Sequence, residues 1–202
     1  MPLRLRDVRE SDLDPILALN NAAGPTILPL DAARLRFLFD QAGYFRVAEI
    51  DGRVAGFLVA MDQDTPYNSS NFLWFKQQLP EFFYIDRIVV ASSYRGLGLG
   101  RVFYADVQSY AEVRSPVLTC EVFLQPGNDV ALLFHGMFGF NEVGQQVMPG
   151  LEQRVAMLTK EMCSWPWVNQ TYYANGAGCL PDQPWLSPRA LPVQEPARAT
   201  GT

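Results

Sequence analysis

Hydrophobic and polar residues change period several times along the chain, and each change marks an element. Residues 3–8 alternate leucine with arginine, the period of two expected of a half-buried strand. Ser11 followed by Asp14 resembles a capping box with Asp in the place of Glu or Gln. Leu13, Ile16, Leu17 and Leu19 then fall at helical spacing until Gly24-Pro25 stops it. Asp31 caps a second helical pattern, with Leu35, Leu38 and Phe39 as its apolar positions and Gly43 at its end. Residues 44–50 and 53–61 flank Asp51-Gly52, a dipeptide suited to a type I′ turn, and so predict a β-hairpin.

Residues 62–81 break the regularity. Either a substrate lid or a short helix packing Phe72, Trp74 and Phe75 on the core fits this stretch. Residues 82–91 (FFYIDRIVVA) form the clearest strand, and a glycine-rich turn over 95–100 follows. The spacing predicts a helix over 101–113, with Val102, Phe103, Ala105, Val107 and Tyr110 as its apolar positions, and a strand over 116–124. A helix opened by Pro126-Gly127-Asn128 runs to Gly139, and 140–148 and 153–162 pair as the last strands. The order β-α-α-β-β-β-α-β-α-β-β mixes hairpins with crossovers, which implies an α/β fold: a mixed sheet with helices on both faces.

Composition narrows this picture. The 202 residues suffice for one core-forming domain, assigned here to 1–162. Six prolines in residues 163–202 predict an irregular extension, disordered over its last dozen residues. Its first part carries Trp165, Trp167, Tyr172 and Tyr173, enough to complete the core or a homodimer interface. Three scattered cysteines and a single histidine exclude a disulfide scaffold and a zinc site of ordinary spacing, so no metal is expected. The net charge of −5 argues against a general nucleic-acid binder. The N-terminus has no apolar stretch of a leader, and no apolar run approaches the ~20 residues that span a bilayer. The expectation is a cytoplasmic protein with no membrane partner.

The sharpest local signal is Arg95-Gly96-Leu97-Gly98-Leu99-Gly100-Arg101, between a predicted strand and a predicted helix. Glycines let the backbone approach a ligand, and successive N–H groups at a helix start cradle a phosphate. A tight turn with no ligand is the plain alternative. The dinucleotide fingerprint fails because Arg101 or Phe103 stands where a third Gly is needed, and Walker A lacks its Gly-Lys-Ser/Thr.

Arg95-x-x-Gly98-x-Gly100 resembles the acetyl-CoA pyrophosphate motif of the GNAT acyltransferases. Asn128-x-x-Ala131-x-x-x-His135-x-x-x-Gly139-Phe140 resembles that family's N-x-x-A-x-x-x-Y-x-x-x-G-F segment, in the correct order and separation. The resemblance covers residues 3–162. It implies a mostly antiparallel sheet of six to seven strands, with a bulge in the strand before the turn and a splay from the next strand. It further implies that main-chain groups of Ile88, Val89 and Val90 pair with the pantetheine arm of acetyl-CoA. Amides of residues 95–100 would hold the pyrophosphate, assisted by Arg95, and Asn128 would contact the pantetheine or cap its helix. His135 replaces the family tyrosine that protonates the departing thiolate.

The resemblance implies an acetyl-CoA-dependent N-acetyltransferase acting directly on a primary amine, small or amino-acid-like. A peptide or protein acceptor, a CoA-binding module without catalysis, and a nucleotide binder are the alternatives. Acyl transfer needs an oxyanion donor, most simply the amide of Val90, and a base for the ammonium. Asp86 and Glu121 flank the expected splay, and Glu81 is a third candidate. A pair between Asp86 and Arg87 is disfavoured because neighbours on a regular strand face opposite ways. Glu121 sits between Cys120 and Val122 and is favoured, since a buried carboxylate is costly unless used. Cys120 reads as a small core residue.

Overall fold

A computed structural model describes residues 2–124 and 129–174, together with 180–182, 187, 189 and 191. Asn128 and the last eleven residues lie outside the described residues. In chain order the elements are β1 (Leu3–Asp7), α1 (Leu13–Asn21), α2 (Ala32–Gln41), β2 (Tyr44–Ile50), β3 (Arg53–Asp62), α3 (Ser70–Gln78), β4 (Phe83–Val90), α4 (Leu99–Ala111), β5 (Val117–Phe123), α5 (Asp129–Met137), β6 (Asn141–Val147), β7 (Arg154–Glu161) and α6 (Trp165–Val168). The seven strands form one sheet in the order β1-β2-β3-β4-β5-β7-β6. All neighbours are antiparallel except β4 and β5.

Local chemistry explains the early elements. Asp51 (φ 49°) and Gly52 (φ 76°) both take positive φ, as a type I′ turn requires, and close the β2–β3 hairpin. Asp31 Oδ1 accepts the Arg34 N–H at 2.7 Å and so caps α2. The start of α1 is stapled differently from the Ser11/Asp14 expectation. Asp12 reaches back to the Arg9 N–H at 2.7 Å and pairs with Arg6, so the reciprocal bond lies one turn earlier.

The sheet separates two cores. Tyr84 and Val89 join Ile16, Leu35, Phe72 and Phe75 on one face. Phe83 and Ile85 join Phe103, Val107 and Leu158 on the other. Residues 62–81 resolve as a helix burying Phe72 and Phe75, not as a bare loop. In α4, Phe103, Tyr104, Val107 and Tyr110 face the sheet, whereas Val102 and Ala105 point to solvent, contrary to the predicted face. Tyr104, not Val102, keeps the i, i+3, i+6 succession with Val107 and Tyr110.

The extension after Met162 is not wholly irregular. Trp165–Val168 makes a turn of α-helix and Asn169–Ala174 a wider π turn. Proline at the first turn suits the helix start, where its missing N–H has no partner to lose. Tyr173 donates to the Val113 carbonyl at 3.0 Å, and Arg189 donates to the Phe39 carbonyl at 2.7 Å while lying over the Phe39 ring. The segment is thus fastened to the body at both ends of the described stretch. No helix among the described residues is long and apolar enough to cross a membrane.

Candidate active site

The site begins with one unpaired residue. On β3, Val59 and Ala60 are consecutive, yet they oppose Arg87 and Ile85, so Asp86 is an extra residue in β4. A bulge bends the strand and disrupts alternation. Two consequences follow. Asp86 and Arg87 come to the same face and pair, Arg87 Nε to Asp86 Oδ2 at 2.6 Å, which corrects the expectation that they point apart. And β4 runs beside β5 only at Phe83↔Leu118 and Tyr84↔Thr119, then leaves it.

Alternation orients the backbone beyond the bulge. The Ala91 N–H donates to Ala55 on β3 at 2.9 Å, so the Val89 amide faces β3 while those of Ile88 and Val90 face the gap. At the end of β4 the chain makes a short 3₁₀ turn (Ser92–Tyr94) and enters α4 through Gly96 (φ 79°) and Gly98 (φ 84°). A Cβ at either glycine would meet no atom within 4 Å, so the turn is an open rim that left-handed φ, not crowding, reserves for glycine. The N–H groups of Leu99, Gly100 and Arg101 precede the first helical hydrogen bond of the α4 interior. Gly100 packs closely: a Cβ there would lie 3.3 Å from the Phe134 ring of α5, which would have to shift to admit it. The Arg95 guanidinium turns back to the Val90 and Ala23 carbonyls, each at 3.4 Å.

The gap opens into a cavity of about 500 Å³ that both faces of the sheet reach. Asp86, Ile88, Glu121 and His135 all line it; Glu81 does not. Segments 26–30 and 148–151 form its remaining walls, with Tyr67, Asn71 and Tyr104 between.

Glu121 is held only by neutral donors, Tyr84 OH to Oε2 at 2.7 Å and Asn71 Nδ2 to Oε1 at 2.9 Å. Gln146 Nε2 in turn donates to Asn71 Oδ1 at 2.8 Å, which fixes the amide's orientation. Burial pushes the carboxyl up to about 7, with the Asp86 charge adding to it and the two donors opposing. Asp86 is charge-compensated instead, by Arg87, and also accepts from the Tyr67 hydroxyl. Arg87 also donates to Asn20 Oδ1 at 2.9 Å and the Leu28 carbonyl at 3.1 Å, tying the cavity's 26–30 wall to the bulge.

His135 is buried, with both nitrogens engaged. Nδ1 lies 2.6 Å from the Ala131 carbonyl, an acceptor only, so Nδ1 carries the proton. Nε2, 2.6 Å from Tyr104 OH, therefore accepts from that hydroxyl. Burial lowers the imidazole's proton affinity, which keeps the ring neutral. Cys120 adjoins Tyr104, and burial holds its thiol protonated, consistent with a packed cysteine and not a nucleophile.

The sequence reading missed Tyr104, Tyr84 and Asn71. The helical face of α4 carries the signal for Tyr104, four residues after Gly100. Asn71 has only its position beside Phe72 and Phe75, three apart on the buried face of α3.

The family model described as Acetyltransferase (GNAT) family matches residues 13–140. An N-alpha-acetyltransferase of Sulfurisphaera tokodaii is 30% identical over 146 residues, 69% of this chain and 81% of that protein. Among solved structures, Ard1 from Thermoplasma volcanium superposes with a TM-score of 0.65 at 16% identity, over 80% of this chain and 98% of that one. Arabidopsis thaliana Naa50, solved with the bisubstrate analogue CoA-Ac-MVNAL, superposes with a TM-score of 0.61 at 16% identity, over 80% and 99%.

Proposed function

The chain belongs to the GNAT family of acetyltransferases, N-acetyltransferases that use acetyl-CoA, and from that premise we propose that it acetylates an α-amino group, with Glu121 as the base. Acetyl-CoA supplies the activated acetyl thioester. The rim at Gly96, Leu97 and Gly98 and the first amides of α4 at Leu99, Gly100 and Arg101 would take the pyrophosphate. Ile88 and Val90 offer the gap-facing main-chain groups for the pantetheine, and the Val90 N–H would serve a developing oxyanion. Val89, whose amide faces β3, contributes packing. His135 holds Tyr104 in place and, being neutral with its proton on a carbonyl, acts on the thiol side by positioning.

The observation that carries the acceptor reading is the environment of Glu121: a carboxylate in the cavity, bonded to neutral groups, with a proton affinity near neutrality. A base at about 7 lies about one unit below an α-ammonium but about 3.4 units below a lysine ammonium. Taking the proton from lysine would cost about 3 kcal/mol more, by about 1.4 kcal/mol per unit. That match favours the α-amine of a peptide end or of an amino-acid amide, whose ammonium titrates at about 8; the α-ammonium of a free amino acid, beside its own ionised carboxylate, is more basic and gains less from it. The N-alpha-acetyltransferase relative supports the same reading.

Thiol release measured with alaninamide and with Nα-blocked lysine amide tests it. A higher kcat/KM for alaninamide is expected; preference for the ε-amine would overturn the proposal. Calorimetry with Gly98→Asp tests the rim. A carboxylate there should abolish CoA binding in a folded protein, and retained micromolar affinity would remove the pyrophosphate from this turn.

A further inference from the structure

One cationic side chain of the cavity wall has no part in the chemistry above. Arg34 stands in the first turn of α2, its main-chain N–H fixed by Asp31. Its guanidinium lies over the Tyr67 ring, 4.3 Å from the centroid, and near Phe37 at 5.4 Å. Its hydrogen bond is to a neutral amide, from Nη1 to Asn68 Oδ1 at 3.0 Å. Among the described residues no carboxylate lies within 4.0 Å of it.

Charge in the cavity is otherwise accounted for. Arg87 is matched by Asp86, and Glu121 awaits the acceptor's ammonium. Arg34 is the remaining cation of the wall. It is half-buried, lies against an aromatic face, and most of its five N–H donors are uncommitted among the described residues. A planar, pre-oriented guanidinium is suited to a carboxylate, which it can bind with two parallel hydrogen bonds. The Ser69 and Ser70 hydroxyls border the same part of the wall, next to Asn68.

We propose that Arg34 reads a carboxylate carried by the acceptor, so that the substrate is an α-amine with an acidic group close to it. The inference rests on α-amine transfer. The carboxylate has two possible sources: the α-carboxylate of a free amino acid, or an acidic side chain near the end of a peptide.

Matched acceptor pairs separate these. One pair is alanine against alaninamide, with rates referred to the neutral amine because alanine's ammonium is the more basic; the other is a short peptide amide with glutamate at its second position against the same peptide with glutamine. Wild-type kcat/KM should favour the acidic member of one pair by about tenfold, expressed in KM, the lower end of the range for a charge-assisted bond because Arg34 is half-buried. The pair that responds names the source. Arg34→Gln should bring that ratio close to one, Arg34→Lys should leave part of it, and Arg34→Glu should turn it towards a peptide with lysine at the same position. Equal loss with both members of a pair, or a wild-type enzyme blind to both pairs, overturns the role of Arg34 while α-amine transfer stands. If alaninamide and both peptides go unacetylated while an ε-amine is acetylated, the acceptor reading itself falls.

Discussion

Asp86 and Glu121 stand on neighbouring strands, line the same cavity and have opposite surroundings. Asp86 has a guanidinium on one oxygen and a phenol on the other; both side chains of the ion pair are nearly inaccessible. Glu121 has a phenol and a carboxamide, and among the described residues no cation bonded to it; the Arg87 charge acts on it only from a distance. A buried carboxylate with a cation is a strut, because its charge is compensated and its lone pairs are occupied. A buried carboxylate with neutral donors is costly to ionise, and that cost is what makes it able to take a proton near neutrality. Residue type does not separate the two; the neighbours do.

The comparison breaks first at Glu121. Glu121→Gln keeps both hydrogen-bonding neighbours in reach but removes the proposed base, and kcat/KM should fall about 10²- to 10⁴-fold; a loss below threefold would return the role to Asp86 or to water. The next largest effect is on folding. Asp86→Asn leaves Arg87 without its counter-charge and should cost about 3–5 kcal/mol in urea unfolding, with catalysis retained by the folded fraction. A fully stable variant without activity would reverse the assignment of strut and base.

The pH profile sharpens the contrast. The base must be ionised, so kcat/KM should rise with pH through a limb near 7, and Glu121→Gln should leave only the acceptor's own titration. Because the Asp86 charge pushes Glu121 up, Asp86→Asn should move that limb to lower pH. Stability follows the opposite sign. The folded carboxyl binds its proton more tightly than the unfolded one, from the usual 4.5 up to about 7, so its favourable contribution is present below that window and is lost as pH rises through it. Melting curves of wild type against Glu121→Gln over that range check the direction. The smallest effect belongs to the second layer: Asn71→Ala removes one donor to the ionised form, and should shift the limb upward and lower kcat/KM at pH 7 about three- to tenfold. No shift of the limb would mean that Asn71 serves only α3.

The parts of this molecule that follow a period were legible in its residues. The hairpin at Asp51-Gly52, the strand of 82–91 and the glycine turn stand where spacing put them, and the helix expected to run to Gly139 is present, ending at Met137. Glu121 was legible too, as a charge in an apolar strand. What escaped depends on departures from the period or on contacts distant in sequence. Alternation placed Asp86 and Arg87 on opposite faces, and only the extra residue in β4 undoes that. The Tyr104–His135 bond joins two helices and 31 positions, and an isolated histidine gives no sign of which nitrogen carries its proton. The Asn71–Gln146 bond spans 75 positions.

The bulge also reads as an insertion. Without Asp86, Ile85 and Arg87 would follow each other opposite Ala60 and Val59, and β4 would be a regular strand with every other side chain on the face it now occupies. The allotment of side chains to the two cores would be kept by such a deletion, with Tyr84 and Val89 in one and Phe83 and Ile85 in the other, although Arg87 would lose its counter-charge. The bend would not, and β4 would be free to continue alongside β5 over the place where the cavity lies. The material of the fold and the opening in it thus have separate origins: the pattern of the strand supplies the one, and a single added residue, Asp86, bends the strand at the other.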